Sequence, residues 1–443
     1  MIIEAGPGNG NYEISLSWLK GALPFAAACT QLHIRGSART QTKAAGLGCC
    51  QRIFLLQYRR KELLTELLSG FDAMPLVWPA RGNKWTSIVA QIGVGSGLDT
   101  VVSQGERPRE MAPVGLPHGA RMTGMAVLVG IDEAGYGPIL GPLVISSSAI
   151  LLPHQLLSAD LWQVLKRSVS DKRKHLAGRL LIADSKKAHN KSLGIRHLER
   201  TVLACLRCLG QQPATFGELL AALCPACLDG LAEYPWYEDA NSQKVPADQE
   251  DLKIASAVLA GDMAANGARL RSLKSVCLDV RCYNRMVSNV KNKASVLFTA
   301  ICQLIENAFE SFAGEDLQII IDRQGGRVRY RTSLQRMFPH MDLRILSETQ
   351  ERSSYELRAD GKSMCLHFIV DGDEKFLPVS LASMVSKYLR ELFMSSINRY
   401  FAGFCPGLRP TAGYWQDGLR FISDLKRNLP EVEYDTALLI RCR

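Results

Sequence analysis

Residues Val127 to Pro138 read Val-Leu-Val-Gly-Ile-Asp-Glu-Ala-Gly-Tyr-Gly-Pro, and this stretch decides how the rest of the chain is interpreted. Its apolar first half predicts a short buried β-strand that delivers two adjacent acids, Asp132 and Glu133, into a turn of small residues. A carboxylate at the end of a buried strand is costly unless a cation lies beside it. Glycines in the turn let a ligand approach the backbone closely. The pattern predicts a divalent-metal site that handles phosphate, with an acidic strand end and a surface turn as the simpler alternative.

The overall composition favours a folded chain with anionic partners. The 443 residues include 47% hydrophobic side chains, which is enough for a core, and carry a formal net charge of +10. A basic excess favours binding to nucleic acid first among anionic partners, although it is also common in ordinary soluble proteins.

Several protein classes are disfavoured by the same sequence. No run reaches eighteen apolar residues, so no membrane span and no membrane partner are expected. The N-terminus lacks the basic-then-apolar order of a signal peptide. The 13 cysteines are an odd number scattered along the chain, which argues against a secreted disulfide scaffold. A cytoplasmic location is therefore expected, and no feature of the sequence requires an obligate protein partner.

Residues 1–121 differ in character from the remainder. They contain patches rich in Gly, Ser and Thr, few long periodic segments, and a linker-like run at residues 112–119. Met122 and Met125 directly precede the acidic strand. We predict that residues 1–121 form a poorly structured N-terminal extension. If translation starts at Met122 or Met125, the protein in the cell lacks this extension. The competing interpretation is a genuine extension followed by one catalytic domain at 122–443.

Strand and helix patterns alternate after residue 122. Antiparallel strands with a turn at Asp360-Gly361 are predicted near the C-terminal third, and a long helix follows them. The predicted elements are strands at 141–150 and 317–322, antiparallel strands within 341–372, and helices at 156–169, 196–209, 252–271, 294–312 and 379–400. This order predicts an α/β fold with a mixed sheet flanked by helices.

Four acids stand where predicted strands end or helices begin, namely Asp132, Glu133, Asp322 and Asp373. If folding gathers them, they suit two Mg²⁺ or Mn²⁺ ions about 4 Å apart, which is an arrangement that cleaves phosphodiesters. Basic residues follow the acids and suit contacts to phosphate, which position a nucleic acid without reading its sequence. They are Lys186, Lys187, Arg323, Arg327, Arg329, Lys387 and Arg390.

Five segments resemble type 2 ribonuclease H, and they occur in that family's order over roughly residues 125–425. The stretch from Gly130 to Val144 resembles its opening motif G-[IV]-D-E-A-G-R-G-P-x-x-G-P-[VL]-V, and Asp184-Ser-Lys-Lys resembles its D-S-K-K segment. The stretch from Ala382 to Glu391 resembles its A-S-[IL]-x-A-K-V-x-R-D helix. Asp373 lies ten residues before Ser383, at the position of the family's last catalytic aspartate, and Gly413-Tyr414 resembles a later G-Y pair.

The resemblance implies an RNase H-like fold, with a five-stranded mixed sheet, flanking helices and a helical C-terminal part at about 379–443. It implies Mg²⁺- or Mn²⁺-dependent hydrolysis of RNA in an RNA–DNA hybrid, with a 5′-phosphate and a 3′-hydroxyl in the products. The metal ligands and catalytic residues would be Asp132, Glu133, Asp322 and Asp373. The implied contacts to nucleic acid involve Gly135, Tyr136, Gly137, Ser185, Lys186, Lys187 and Tyr414, with backbone groups of the 135–137 loop on the 2′-hydroxyl.

Departures from the family pattern keep two alternatives open. Tyr136 replaces the arginine of the family's G-R-G loop, and an insertion at about 205–290 begins with a cassette at 205–255 that is rich in Ala, Leu, Pro and Trp. One alternative keeps the fold and metals but acts on structured DNA or RNA. The other is a non-catalytic nucleic-acid-binding protein on the same scaffold.

Two cysteine pairs, Cys205/Cys208 and Cys224/Cys227, have spacing that fits a four-cysteine zinc site. The first pair falls inside an amphipathic helix at 198–209, whereas zinc knuckles usually require a turn near each pair. Buried free cysteines are common packing residues. The sequence therefore favours packing over zinc for these four residues.

Overall fold

The computed structural model describes residues 124–174, 176–188, 194–245, 248–428 and 434–442, together with the backbone of three strands nearer the N-terminus. These strands are β1 (Ile2–Gly8), β2 (Asn11–Ser17) and β3 (Leu32–Ser37), and they form an antiparallel sheet in the order β1-β2-β3. They belong to a compact unit over Met1–Gln104, and a second unit spans Gly105–Arg443. The rest of 1–121 lies outside the described residues, so the extension stays a prediction.

The second unit contains a seven-stranded mixed sheet, which confirms the predicted α/β fold class. Its strands lie in the order β10-β11-β12-β9-β4-β5-β8. The β4–β9 and β9–β12 pairs are parallel, and the other pairs are antiparallel. The strands are β4 (Met125–Ala134), β5 (Leu143–Pro153), β8 (Arg269–Leu278), β9 (Asp316–Asp322), β10 (Asp342–Glu348), β11 (Arg352–Ala359) and β12 (Lys362–Ile369). The sheet exceeds the expected five strands because β10 and β11 extend one edge.

Helices cover both faces of this sheet. They are α1 (Leu161–Val164), α2 (Ser185–Ala188), α3 (Arg196–Cys208), α4 (Phe216–Leu223), α5 (Leu228–Leu231), α6 (Gln249–Ala265), α7 (Val280–Val290), α8 (Lys293–Phe312), α9 (Arg331–Met337), α10 (Gly372–Lys375), α11 (Leu377–Phe404), α12 (Trp415–Asn428) and α13 (Thr436–Leu439). Short 3₁₀ turns lie at His154–Leu156, Pro225–Cys227 and Pro235–Asn241, and a separate parallel pair joins β6 (Val169–Ser170) to β7 (Leu180–Leu181). Among the described residues, none of these helices combines the length and the apolar character needed to cross a membrane.

Strand β4 divides the core between the two faces of the sheet. Its side chains alternate, so Val127, Val129 and Ile131 pack on the side of α8, while Ala126 and Leu128 pack on the side of α11. Each fully buried aliphatic side chain contributes about 1.5–3 kcal/mol. The acidic end of β4 is thus held by a strand that is buried on both faces.

Gly130 sets the distance between β4 and the long helix α11. A Cβ atom at this position would lie 2.2 Å from both the carbonyl carbon of Pro378 and the backbone nitrogen of Val379. Ser148 on β5 also donates a hydrogen bond of 2.7 Å to the Pro378 carbonyl. The absence of a side chain at Gly130 therefore lets the N-terminal turn of α11 touch the sheet beside Asp132.

Two predicted helices differ from the structure. The helix expected at 156–169 is reduced to the single turn of α1, because the Asp160 side chain accepts the Trp162 N–H at 2.9 Å and begins a new helix there. The helix expected at 252–271 ends at Ala265, and β8 begins at Arg269. A β-bulge opposite Ala149 and Ile150 gives β8 its apolar spacing of three, which imitates a helical period.

Other predicted elements are confirmed. The hairpin between β11 and β12 turns at Asp360 and Gly361, whose φ angles of 52° and 74° fit a two-residue turn with positive φ at both positions. The predicted strands at 141–150 and 317–322 correspond to β5 and β9, and the predicted helices at 196–209, 294–312 and 379–400 correspond to α3, α8 and α11. Strand β8 falls inside the range 205–290 that the sequence assigns to an insertion, although it is an edge strand of the sheet.

Candidate active site

Three of the four predicted acids meet where parallel strands β4 and β9 end. Ile131 pairs with Ile321, so Asp132 and Asp322 follow side by side at the same edge of the sheet. The Asp322 Oδ1 atom accepts a hydrogen bond of 2.7 Å from the Gly372 N–H. Asp373 comes next in the chain, at the start of α10. The sheet register and one hydrogen bond therefore bring three distant segments to one place.

The four acids act on one another electrostatically. Asp132 is buried, and burial raises the pKa of its carboxyl well above the ordinary value, with further increases from the charges of Glu133, Asp322 and Asp373. Glu133 is half-buried on the opposite side of β4, and its N–H donates to Asp132 Oδ1 at 2.7 Å. Charging Asp132 is costly in this setting, and a neighbouring cation would remove most of that cost.

The donor chemistry of this acidic cluster (Asp132, Glu133, Asp322 and Asp373) fits hard divalent cations, which prefer carboxylate oxygens. Within the described parts of the chain, no three of these carboxylates offer oxygens that all lie within 4.8 Å of one another. The residues that would hold the ions are those of the acidic cluster.

Sequence reasoning missed a stripe of serines on α11 that positions Asp132. Ser383 hydrogen-bonds to the Asp132 side chain, which favours its charged form, and its Oγ lies 3.1 Å from Ser185 Oγ. Ser386 Oγ lies 3.0 Å from the Asp132 carbonyl oxygen. Ser380 donates to the carbonyl oxygen of Asp373. The signal was available in the spacing of three between these serines, which places them on one face of a helix.

The Asp184-Ser-Lys-Lys segment lies beside the acidic cluster. Ser185 is buried at the start of α2 and contacts Ser383, so its hydroxyl faces the protein, whereas the sequence predicted a contact to nucleic acid. Lys187 is exposed, and its Nζ lies 2.6 Å from Glu374 Oε1. Lys186 belongs to the same turn, and its side chain lies outside the described part of the structure.

The Gly135–Tyr136–Gly137 loop leaves β4 on the other side of the acids. Gly135 has a φ of 96°, and a Cβ there would lie 2.7 Å from Arg390 Nε, so a side chain is excluded at this position. The Nζ of Lys293 lies 5.1 Å from the Tyr136 ring centroid. Gly137 is exposed with open space around it. Lys293 thus supplies a cation next to Tyr136 of this loop.

Arg390 supports this loop from the inside, which corrects its predicted contact to phosphate. The residue is 0% exposed, and its Nη2 donates to the Ala412 carbonyl at 2.9 Å. Its guanidinium lies 5.5 Å from the centroid of the Tyr414 ring, which is half exposed. The N–H of Ile139 donates to the Gly413 carbonyl at 2.8 Å. The predicted Gly-Tyr pair therefore lies against the Gly-Tyr-Gly loop, with Arg390 packed behind both.

Other predicted basic residues also turn inward. Arg323 is buried and donates to the Thr349 carbonyl at 3.0 Å, and Arg327 lies 4.7 Å from the Tyr330 ring centroid. Lys387 is largely buried and pairs with Glu391 one turn away on α11. Arg329 is exposed. These contacts hold the scaffold in place, so Lys187 and Arg329 are the predicted cations whose described side chains face solvent.

The cysteines group differently from the predicted pairs. Cys205 is buried in α3, and Cys208 Sγ hydrogen-bonds to the Ser256 carbonyl at 3.3 Å, so this pair packs within the helices. Cys224 and Cys227 instead lie against Cys277 of β8. Hydrogen bonds from Cys224 and Cys277 lower the pKa of the Cys227 thiol to about 5. The structure thus supports packing for the first pair and gives the second pair a partner that the sequence did not indicate.

Comparison with known proteins finds similarity among solved structures only. No protein-family model matches the chain, and no curated protein matches it. RNase HII of Archaeoglobus fulgidus, in its PCNA:RNase HII complex, is 14% identical over 72% of this chain and 94% of that chain, with a TM-score of 0.36. Bst-RNase HIII in complex with Mn²⁺ is 13% identical over 71% and 66%, with a TM-score of 0.33. Ribonuclease H2 from Pyrococcus horikoshii is 12% identical over 71% and 92%, with a TM-score of 0.29.

Proposed function

We propose that this chain is a metal-dependent endonuclease that hydrolyses the RNA strand of an RNA–DNA hybrid. The observation that carries the proposal is the Asp132 carboxyl, whose pKa is raised first by burial and then by the charges of Glu133, Asp322 and Asp373. A chain that only binds nucleic acid gains nothing from crowding carboxylates where phosphates would approach. Cleavage of an intracellular nucleic acid also fits the cytoplasmic location predicted from the sequence.

The acidic cluster would hold Mg²⁺ or Mn²⁺. When bound, such ions lower the pKa of a coordinated water and stabilise the charge on the leaving oxygen of a phosphodiester. The chain's own contribution is to fix the ligands before the substrate arrives. Ser383 hydrogen-bonds to the Asp132 side chain. The Gly372 N–H fixes Asp322. These bonds reduce the freedom that two ligand side chains would lose on binding.

The surface around the acids supports a nucleic-acid interface. Lys187 lies on one side, and the exposed ring of Tyr414 lies against the Gly-Tyr-Gly loop on the other. Lysine suits phosphate contacts, and a half-exposed aromatic ring suits stacking on a sugar or base. The backbone of Gly137 has open space beside it, so a ribose is not excluded by a neighbouring side chain.

The test is cleavage of a labelled RNA–DNA hybrid by wild type and by Asp322→Asn, each with Mg²⁺ or Mn²⁺. Asparagine keeps an oxygen that accepts the Gly372 N–H, so the variant removes charge with little change in shape. Asp342→Asn, at an exposed position on β10, is the matched control. Loss of cleavage in Asp322→Asn alone supports the proposal. Equal cleavage by all three proteins contradicts it.

A second candidate keeps the chemistry but changes the substrate to structured DNA or RNA. The observation that favours it is Tyr136, whose ring packs with Lys293 where the family places an arginine. A panel of hybrid, duplex with a single ribonucleotide, and branched DNA separates the two candidates by which substrate is cut fastest. Tight binding without cleavage, unaffected by EDTA, would instead identify the non-catalytic alternative.

A further inference from the structure

Three cysteine thiols converge away from the acidic cluster. The sulfur atoms of Cys224, Cys227 and Cys277 all lie within 4.8 Å of one another. Cys224 Sγ is 3.4 Å from Cys227 Sγ and 3.4 Å from Cys277 Sγ. Cys224 and Cys227 are buried, and Cys277 is half-buried. Among the described residues, no other group of three or more His, Cys, Asp or Glu side chains has its potential metal-binding atoms all within 4.8 Å of one another.

The three thiols come from separate elements. Cys224 ends helix α4, Cys227 closes the 3₁₀ turn Pro225–Cys227, and Cys277 lies near the end of β8. The Cys227 N–H donates to the Cys224 carbonyl at 3.0 Å, so the turn holds the two sulfurs on one side. The cluster therefore joins the cassette at 205–255 to an edge strand of the sheet.

We propose that Cys224, Cys227 and Cys277 bind one zinc ion that fastens the cassette to the sheet. Tetrahedral zinc holds thiolate sulfurs at about 2.3 Å, which places the sulfurs of a site about 3.8 Å apart. Two of the observed separations, at 3.4 Å, lie a few tenths of an ångström below this value, and the third is within 4.8 Å, so binding requires only small shifts of the sulfurs in the two close pairs. Soft thiolate ligands select zinc over the Mg²⁺ or Mn²⁺ that carboxylates prefer.

A carboxylate beside the thiols adds to the case for a cation. Asp279 lies two residues after Cys277, and its negative charge acts on Cys227. Its Oδ1 accepts hydrogen bonds from the Tyr234 hydroxyl at 2.6 Å and from the Cys282 N–H at 2.8 Å, which hold the carboxylate in place. Three ligating thiols with a fixed anion nearby suit a divalent cation, with water in the fourth position.

A disulfide is the competing use of the same residues. It would join two of the three sulfurs and leave the third as a free thiol against the bond. An iron–sulfur cluster usually takes four cysteine ligands, and three are present here. Compared with a disulfide or an iron–sulfur cluster, zinc is the assignment that uses all three thiols without requiring a further cysteine.

The first experiment measures zinc in the full-length protein, produced in zinc-supplemented medium and purified without chelator. Wild type is expected to retain about one zinc per chain. The zinc bound per chain should be at least about tenfold lower in Cys227→Ser. Cys208→Ser is the matched control, because Cys208 belongs to the alternative four-cysteine set but not to this cluster. Retained zinc in Cys208→Ser supports the assignment. Equal loss in both variants, or no zinc in wild type, overturns it.

A second measurement does not depend on the folding of a variant. Wild-type protein is alkylated with and without a zinc chelator, and the modified cysteines are mapped by mass spectrometry. The proposal expects the chelator to increase labelling of Cys224, Cys227 and Cys277 together, while exposed Cys442 is labelled in both conditions. Cobalt substitution should add absorption from sulfur-to-cobalt charge transfer. A Cys224–Cys227 disulfide in protein purified under reducing conditions, without bound zinc, would contradict the proposal.

Discussion

The acidic cluster and the cysteine cluster bring like groups together in opposite ways. The four acids stand at the ends of β4 and β9 and at the start of α10, and burial together with their mutual repulsion raises the pKa of Asp132. The three thiols are held between a helical cassette and β8, where hydrogen bonds from Cys224 and Cys277 stabilise the thiolate form of Cys227. The difference indicates that the acidic cluster trades stability for reactivity, whereas the cysteine cluster would gain stability from its metal.

The largest expected effect comes from breaking the acidic cluster. Asp132→Asn should lower hybrid cleavage by more than about 100-fold, because a ligand is lost from the metal site. Without added metal, the same variant should be more stable than wild type, since it removes a buried charge that three neighbouring carboxylates oppose. Cleavage assays and thermal unfolding measured in EDTA check the two parts.

A cysteine variant is the counterpart of this test. Cys277→Ser should lower the unfolding midpoint of zinc-loaded protein, so the two clusters respond with opposite signs. If Asp132→Asn also lowers the unfolding midpoint in EDTA, the acids do not oppose one another and the comparison fails. Asp342→Asn, exposed on β10, is the control for removal of an ordinary aspartate.

The next effect concerns the contact that places α11 on β4. Gly130→Ala should cost about 3 kcal/mol or more, because its Cβ would lie 2.2 Å from Pro378 and Val379 backbone atoms that have little freedom to move. Chemical denaturation measures this cost. Gly403 lies on α11 with open space around it, so Gly403→Ala should be neutral or slightly stabilising. Equal effects of both variants would remove the close approach as a cause of the site geometry.

The comparison of the acidic cluster with the cysteine cluster also shows which features can be predicted from the sequence. Asp132, Glu133 and Asp322 were found because they end apolar runs, whereas Asp373 was found because it precedes a long helix and matches a position of the family motif. The serines on α11 and the inward turn of Arg390 were missed, because both depend on how α11 packs against the sheet. Cys277 was missed as a partner of Cys224 and Cys227, because it lies about fifty residues further along the chain and only the folding of the cassette against β8 brings it to them.

A smaller effect concerns the pH dependence of stability at His367 on β12, an interior strand of the sheet. Burial, and after it the charge of Arg352, lowers the pKa of His367 from 6.5 to about 4. Because the folded state favours the neutral ring, this contribution to stability is complete above pH 6.5. It is lost as the pH falls towards 4, and it amounts to at most about 3 kcal/mol.

His367→Gln should therefore flatten the fall in unfolding free energy between pH 6.5 and pH 4. His340→Gln, at an exposed position, is the control. Denaturation series at several pH values provide the measurement. If His367→Gln leaves the slope unchanged, the loss of stability in acid arises at another group. The acidic cluster changes stability in the opposite direction, because protonation of Asp132 favours the folded state as the pH falls.

The smallest effect is expected at the rim of the acidic cluster. Lys187 and Glu374 form an exposed ion pair, and such pairs contribute between about 0 and 1 kcal/mol. Glu374→Gln should therefore change the unfolding free energy by less than about 0.5 kcal/mol. A double-mutant cycle with Lys187→Met gives the coupling energy, and a coupling above about 2 kcal/mol would show that this rim is a structural part of the site.

The most direct test of the acidic cluster is a Mn²⁺ titration of the purified protein, with free Mn²⁺ followed by electron paramagnetic resonance. Wild type and Cys227→Ser should bind Mn²⁺ alike, and Asp132→Asn and Asp373→Asn should each bind it at least about tenfold more weakly. Binding that is unchanged in both aspartate variants would contradict the account, because the four carboxylates would then not form one site for divalent cations.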